Sequence, residues 1–256
     1  LAEEAGSKRV EGVVALAVLT ALLGLDPAIL ETLVRERFAG EILQQQNLRA
    51  VASGYRAAAD WTPPRSYRLP RGDGRGDRFW IAGHEALSLG PVAGGVSFMA
   101  GYPMSPATAL LNNLAAWHGH AGIVVEQAED EIAAINMAIG ASYAGVRSMT
   151  GTAGGGFALM VEGLSLAGMT ETPVVIFVGQ RPAPATGFPT RTEQADLLYI
   201  LHAAHGEFPR VIMAPGNPEQ AYYLTGKAFD LAEKYQVPAF IISDQYLADT
   251  EWTLDA

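Results

Sequence analysis

Residues 174–178 read Val-Val-Ile-Phe-Val, five apolar side chains in succession. A strand with one face in water alternates apolar and polar residues, so an unbroken apolar run is typical of a strand buried on both faces. The Gly-Gln-Arg-Pro sequence at 179–182 ends the run. A strand covered on both faces belongs to a layered protein in which helices pack on each side of a mostly parallel sheet.

Short β-rich runs alternate with helical stretches through the rest of residues 79–256, which supports this α/β interpretation. The seven runs are Phe79–Ala82, Ser97–Ala100, Ile123–Glu126, Arg147–Thr150, Val174–Val178, Arg210–Ala214 and Ala239–Ser243. The sequence therefore predicts one α/β domain at 79–256, with a mostly parallel sheet and helices on both faces.

A small helical segment is predicted ahead of this domain, at residues 1–60. Val10–Leu23 is almost continuously apolar, and Asp26 followed by Pro27 is the N-cap and first position of a second helix that ends near Gly40. A third helix is predicted at 42–59. Residues 61–78 are rich in Pro, Gly and Arg without apolar periodicity, so they are predicted to be a linker.

The composition excludes several classes of function. The net charge is −10, with +1 on residues 1–78 and −11 on residues 79–256, so the chain lacks the basic surface that nucleic acid requires. It has no cysteine, and therefore no disulfide and no thiolate ligands for an iron–sulfur cluster. The longest apolar run, Val13–Leu23, is too short to span a bilayer, and no signal-peptidase site follows it. We expect a cytoplasmic protein without a membrane partner.

Two further patterns point to chemistry only weakly. Gly154–Gly156 lies between a predicted strand and a helix, but it matches neither G-x-G-x-x-G nor a Walker A motif. A tight strand-to-helix turn explains it, and a nucleotide-binding protein that uses this loop stays open as an alternative. The pairs His118/His120 and His202/His205 have no third ligand at a suitable spacing, so we predict no metal site.

Glu131 is the most informative residue. In sheets of this type ligands bind outside the carboxyl ends of the strands, and Glu129-Asp130-Glu131 follows one of them. The helix dipole accounts for acids at Glu129 and Asp130. Glu131 differs, because the next residues, 132–144, are almost wholly small and apolar, so its carboxyl enters a buried setting. Such a group can share a proton with a bound base, as N1′ of thiamine diphosphate requires.

Five stretches resemble the α subunits of 2-oxoacid:ferredoxin oxidoreductases. Gly101–Thr108 (GYPMSPAT) resembles the family's Tyr-Pro-Ile-Thr-Pro-Ser-Thr motif. The others are Glu129–Gly145 (EDEIAAINMAIGASYAG), Gly154–Thr172 (GGGFALMVEGLSLAGMTET), Gln180–Leu197 (QRPAPATGFPTRTEQADL) and His202–Pro209 (HAAHGEFP). The resemblance covers residues 79–256. It implies the pyrimidine-binding domain for thiamine diphosphate.

The resemblance also implies roles for individual residues. Glu131 corresponds to the glutamate that contacts N1′ of the cofactor, and Tyr102 and Pro103 belong to the cofactor-binding motif. Ser105 corresponds to a residue that contacts substrate. Arg181 corresponds to the arginine that holds the 2-oxoacid carboxylate, a task that suits a guanidinium fork.

Three positions depart from the family pattern. Ser105 replaces Thr and keeps the hydroxyl, Met104 replaces Ile, and His84 stands where Asn is usual. The first two leave the implied activity intact and bear on substrate choice, whereas the role of His84 is open. Gly72-Asp73-Gly74 is not taken as the family's metal and diphosphate motif, because it lies in the linker and the next Asn after it is Asn112.

The activity implied by the resemblance is oxidative decarboxylation of a 2-oxoacid with coenzyme A, with electrons passing to ferredoxin. Arg191–Gln194 resembles members that use 2-oxoglutarate. A β partner subunit is implied to carry the diphosphate-binding domain, Mg²⁺ and a [4Fe–4S] cluster. The helical segment at 1–60 resembles the tail of a γ-type domain fused ahead of the α domain in some members.

A hypothesis from another class fits the same composition. A non-catalytic α/β interaction subunit, or a decayed homologue, would keep the apolar helix after Glu131 and the helix at 157–166 for packing against a partner. The two hypotheses differ in chemistry. The interaction subunit tolerates Glu131→Gln, whereas the enzyme loses most of its cofactor activation.

Overall fold

The computed structural model describes residues 1–61, 68–70 and 77–255, and the chain divides into two compact units between residues 75 and 76. The first unit contains helices α1 (Glu11–Leu22), α2 (Pro27–Arg37) and α3 (Glu41–Ala59). These are the three helices that the sequence predicts, and the Asp26 carboxylate caps α2 by accepting from the Ala28 N–H at 2.9 Å. Most of the predicted linker at 61–78, including Gly72–Gly74, lies outside the described residues.

Helices α1 and α3 cross closely in this unit. A Cβ at Gly54 of α3 would lie 2.5 Å from the Cβ of Ala17 on α1, so only a glycine permits the approach. Ala17 is fully buried against Leu30, Val34 and Val51 in one apolar cluster of the unit, and Ala5, Val10, Val14 and Ala50 form another.

The second unit alternates strands and helices. Its strands are β1 (Arg78–Ala82), β2 (Phe98–Gly101), β3 (Val124–Gln127), β4 (Ser148–Thr152), β5 (Val174–Gln180), β6 (Val211–Met213), β7 (Pro238–Asp244) and β8 (Glu251–Asp255). Its helices are α4 (Gly83–Ala93), α5 (Thr108–Ala121), α6 (Glu131–Tyr143), α7 (Gly154–Met169), α8 (Leu197–His202), α9 (Pro218–Tyr235) and α10 (Gln245–Asp249).

Six of these strands form one parallel sheet in the order β3-β2-β4-β5-β7-β6, which confirms the predicted fold class. The central strands β4, β5 and β7 are buried along their whole length, as the apolar run in β5 predicts. The edge strand β3 is largely exposed.

The prediction that Phe79–Ala82 joins the parallel sheet is wrong. Strand β1 pairs antiparallel with β8, a strand absent from the seven predicted runs, in a separate two-stranded sheet. The physical reason is that only two of the five residues of β1, Ile81 and Ala82, are buried, whereas the three before them are exposed. A strand of that kind suits a ribbon at the surface and not a position covered on both faces.

Helices cover both faces of the large sheet. On one face α4, α5 and α9 pack around Leu87, Leu114 and Phe229, and on the other α6, α7 and α8 pack around Phe157 and Ile200. Among the described residues, no helix is both long enough and apolar enough to cross a membrane.

The order of the strands places a crevice at the carboxyl ends of β2 and β4. The connection from β2 to β3 runs through α5 on one face, and the connection from β3 to β4 runs through α6 on the other. Ligands of open α/β sheets bind where neighbouring connections diverge in this way. The segments after β2, β3 and β4 therefore border the candidate site.

Candidate active site

The loop after β2 crosses the end of β4 to reach β5. The Thr152 hydroxyl at the end of β4 donates to the Met104 sulfur at 3.8 Å. Beyond it, the ring of Pro106, which follows a cis peptide bond, packs directly on Gly179 of β5, where a Cβ would lie 2.5 Å from the ring. Tyr102, Pro103 and Ser105 all lie on this loop, which leaves each of them exposed.

Arg181 meets this loop from β5. Its guanidinium Nη1 donates to the backbone carbonyl of Ser105 at 2.7 Å, although the two residues are 76 positions apart. The side chain is buried, and burial lowers the pKa of the guanidinium. This single contact leaves other N–H donors of the guanidinium fork available among the described residues.

Glu131 begins α6 at the end of β3. Asp130 is the N-cap, and its carboxylate accepts from the Ala133 N–H at 2.7 Å, while Glu129 stays exposed in solvent. Glu131 is 2% exposed, and its Oε1 has no hydrogen-bond partner among the described residues. Buried carboxyl oxygens are normally paired, so this atom marks a place where a ligand group completes the pairing. The burial agrees with the prediction from the sequence.

At each of the three glycines of Gly154–Gly156, a different neighbouring group packs closely against the first turn of α7. A Cβ at Gly154 would lie 2.5 Å from the Asp196 carboxylate, and one at Gly155 would lie 3.1 Å from the Ala185 carbonyl oxygen. At Gly156 it would meet the Thr152 hydroxyl and lie 2.5 Å from Glu131 Oε1. Close packing thus explains the triplet without a bound phosphate.

The side chains of two glutamines hold the segment after Arg181 in place through hydrogen bonds. The Asp196 N–H donates to Gln180 Oε1 at 3.0 Å, and Gln194 Nε2 donates to Asp244 Oδ2 at 2.5 Å. Asp196 is buried, and its Oδ2 has no partner within the described ranges. Burial first, and then the nearby Glu193 carboxylate, raise the pKa of Asp196.

His84 lies on the first turn of α4. Its Nδ1 is 3.0 Å from Asn113 Nδ2, which also donates to Ser88 Oγ at 3.0 Å. This contact connects α4 to α5, and it gives the residue a packing partner. In the part of the chain that the structure describes, no group of three or more His, Cys, Asp and Glu side chains could hold a metal ion.

The structure therefore places the predicted residues at one edge of the sheet. Arg181 contacts Ser105, and Glu131 and Thr152 both pack beside Gly156. Tyr102 and Pro103 lie on the loop after β2. Sequence reasoning named Gln180 and Gln194 only as members of the stretches 179–182 and 191–194, and it missed Asp196 and the contacts that the two glutamines make. The only signal for them was an acid and amides in a loop after a strand, which is too common a pattern to single out.

A buried carboxyl and a buried arginine at the strand ends of a parallel sheet lie where α/β domains of this kind bind their ligands. The sequence profile of the family described as pyruvate flavodoxin/ferredoxin oxidoreductase, thiamine-diphosphate-binding, matches residues 90–255. The chain belongs to this family.

Individual relatives agree with the assignment. The chain is 40% identical, over 97% of its length, to 2-oxoacid:ferredoxin oxidoreductase 1 subunit alpha of Sulfurisphaera tokodaii, and covers 41% of that protein. It is 42% identical over 64% of its length to the 2-oxoglutarate synthase subunit KorA of Archaeoglobus fulgidus, covering 48% of it. The chain thus spans less than half the length of these relatives.

A solved structure is similar throughout the chain. It is the 2-oxoglutarate:ferredoxin oxidoreductase from Magnetococcus marinus with 2-oxoglutarate, coenzyme A and succinyl-CoA bound. The TM-score is 0.90 at 37% identity, over 99% of this chain and 45% of that one. The match extends over the N-terminal helical unit as well as the α/β unit.

Proposed function

We propose that this chain supplies the aminopyrimidine half of a thiamine-diphosphate site in a 2-oxoacid:ferredoxin oxidoreductase. The observation that carries the proposal is Glu131 Oε1, a buried carboxyl oxygen without a partner among the described residues, at the strand ends of a thiamine-diphosphate-binding family member. The other half of the site, with the cofactor's diphosphate and Mg²⁺, is assigned to a β partner.

The residues present fit the aminopyrimidine. Glu131 Oε1 requires a hydrogen-bonded partner, and N1′ of the ring is a basic nitrogen that shares a proton with a carboxyl. Gly156 gives the carboxyl its position, since any side chain there would displace it. When bound, thiamine diphosphate supplies a nucleophilic carbon and an electron sink for decarboxylation.

Glu131 acts by holding a proton at N1′. Its carboxyl is buried beside Thr152 and the first turn of α7, where it is proposed to pair with the ring. Tyr102 and Pro103, on the exposed loop after β2, are proposed to contact the cofactor from the open side of the crevice.

Arg181 and Ser105 are proposed to bind the substrate. The buried guanidinium is fixed by the Ser105 carbonyl, so its free N–H groups are oriented before substrate arrives. A carboxylate accepts two parallel hydrogen bonds from such a fork, and both are stronger in the buried surroundings of the guanidinium, where the effective dielectric constant is lower than in water. The Ser105 hydroxyl lies on the same loop and is proposed to contact the 2-oxo group.

The proposed reaction is oxidative decarboxylation of a 2-oxoacid, with coenzyme A as acyl acceptor and ferredoxin as electron acceptor. We favour 2-oxoglutarate, because Arg191–Gln194 resembles members that use it and because two of the similar proteins are named for it. The chain has no cysteine, so the [4Fe–4S] cluster is assigned to the β partner. The cytoplasm is the proposed compartment.

The proposal is tested by native mass spectrometry of the complex purified from its source, with thiamine and iron assayed on the same sample. A heteromer that contains both and oxidises 2-oxoglutarate with coenzyme A is the expected result. A homomer without cofactor, isolated intact, would instead support a non-catalytic interaction subunit.

A further inference from the structure

Asp196 contacts both sides of the proposed site. It immediately precedes α8 and is 8% exposed. Its backbone N–H donates to Gln180 Oε1 at 3.0 Å, and Gln180, which is also buried, directly precedes Arg181 in the chain. Its carboxyl group lies on Gly154, the first residue of α7. Asp196 therefore connects the strand end that carries Arg181 with the helix that packs beside Glu131.

The contact between Asp196 and Gly154 involves the whole carboxyl group. A Cβ at Gly154 would lie 2.5 Å from Oδ2 of Asp196 and 2.7 Å from both Cγ and Oδ1. Protein interiors are close-packed, and no Cβ fits at such distances, so the carboxyl fills the space that a side chain at residue 154 would need. Among the described residues Oδ2 has no hydrogen-bond partner, so this oxygen meets α7 through packing.

The first turn of α7 connects this contact to Glu131. Gly154 and Gly156 belong to the same helical turn, so a displacement of one moves the other. A Cβ at Gly156 would meet the Thr152 hydroxyl and lie 2.5 Å from Glu131 Oε1. The N-cap residue of α7, Ala153, makes no side-chain hydrogen bond to the first turn. The start of α7 therefore depends on its packing contacts, and the Asp196 carboxyl supplies one of them.

We propose that Asp196 is a positioning residue of the thiamine-diphosphate site: its carboxyl, packed on Gly154, holds the first turn of α7 where Glu131 can reach the aminopyrimidine. Asp196 itself is not proposed to touch cofactor or substrate. The catalytic consequence rests on the proposed function, whereas the placement of Glu131 by Asp196 is a property of this chain alone. Since a misplacement of about 1 Å can cost about 100-fold in rate, loss of the packed carboxyl should be measurable.

The first test follows Glu131 in the isotope-labelled full chain without cofactor. The ¹³C signal of the Glu131 carboxyl and the ¹⁵N signal of Gly156 report on the first turn of α7. Asp196→Ala should shift both signals, and Asp196→Asn, which keeps the shape of the side chain, should shift them much less. Thr225→Ala is the matched control, because Thr225 is a buried polar residue on α9, which packs on the other face of the sheet.

Gly154→Ala provides a reciprocal test. Alone, its methyl group would collide with the Asp196 carboxyl and displace the turn. Combined with Asp196→Ala, the same methyl group occupies the space that the carboxyl has left, so the double variant should return both signals toward their parent positions. Two changes that only weaken the fold would add, whereas changes at two residues in contact are coupled.

The second test uses the complex with the β partner, at a temperature well below its unfolding. Each single Ala variant should slow C2–H exchange of bound thiamine diphosphate by about 10-fold or more, and the double variant and Asp196→Asn should exchange at close to the parent rate. The Asp196→Ala variant keeps the backbone N–H that binds Gln180. Its KM for the 2-oxoacid should therefore change less than its kcat.

Four results would overturn the positioning role. Asp196→Ala could leave the Glu131 and Gly156 signals in place, Thr225→Ala could shift them equally, or the effects of the two Ala changes could add in the double variant. The fourth result is a normal exchange rate in the Asp196→Ala complex. A complex that contains no thiamine diphosphate would instead overturn the proposed function, and the spectra of the full chain would still decide whether Asp196 places Glu131.

Discussion

The Arg181 guanidinium donates to the backbone carbonyl of Ser105 across 2.7 Å, and so joins the end of β5 to the loop that follows β2. Strand β4 lies between those two strands in the sheet. The contact therefore spans the crevice and fixes the guanidinium above the strand ends. A substrate carboxylate bound there would meet a donor that is already oriented.

Replacement of Arg181 by Lys should lower kcat/KM for the 2-oxoacid by about 10- to 100-fold. Lysine keeps the charge but loses the planar fork that both contacts Ser105 and presents further N–H groups. Steady-state kinetics of the assembled enzyme measure the change. Arg37→Lys is the control, because Arg37 is exposed on α2 in the first unit. Equal effects of the two variants would contradict the assignment of Arg181.

Replacement of Glu131 by Gln should reduce turnover by about 100-fold or more without unfolding the chain. Glutamine has nearly the same shape but cannot hold the proton that N1′ shares. The rate of C2–H exchange of bound cofactor, followed by NMR, measures activation separately from later steps. Glu129→Gln, two residues earlier and exposed, should exchange at the normal rate. A near-normal exchange rate in the Glu131 variant would contradict the proposed role of this carboxyl in cofactor activation.

Two glycine-to-alanine changes in neighbouring helices should have opposite effects on stability. In Gly156→Ala the new methyl would lie 2.5 Å from Glu131 Oε1, and this overpacking should destabilise the chain by about 1–3 kcal/mol. Gly140 on α6 is exposed with open space at its Cβ, so Gly140→Ala should stabilise by about 0.5–1 kcal/mol. Urea unfolding of the full chain measures both. A Gly156 variant as stable as the parent would show that the close packing is unnecessary.

The stability contributed by Asp196 should depend on pH. Burial, and then Glu193, raise the pKa of Asp196 in the folded chain, so folding favours the protonated form. That stability is complete below the ordinary aspartate pKa of about 4 and is lost as the pH rises through the raised value. Thermal unfolding should therefore show Asp196→Asn gaining stability relative to the parent as the pH rises.

Glu193→Gln is the control for this pH dependence. It removes only the smaller of the two causes, so most of the difference between the parent and the Asn variant should persist in a Glu193→Gln background. A difference in unfolding temperature that stays constant with pH would mean that Asp196 titrates alike in the folded and unfolded chains.

The class of fold could be predicted because it depends on local patterns. An apolar run such as Val174–Val178 has no stable position except between two layers, and β5 is buried at every residue. Phe79–Ala82 was misassigned because a short run of β-forming residues does not specify its pairing partner. That partner, β8, lies more than 160 residues further along the chain.

Glu131 could be singled out from the sequence, because the small apolar residues that follow it predicted a buried setting for its carboxyl, and the residue is buried. The sequence thus determined the layered α/β class and the residue types at the strand ends. Only the tertiary structure decided which of them meet: Arg181 with Ser105, Asp196 with Gly154, and Glu131 with Gly156. These contacts join segments that are distant in the chain, and they depend on the order of the strands and on glycines that have no side chain at the point of contact. Neither feature produces a hydrophobic periodicity that could be recognised in the sequence.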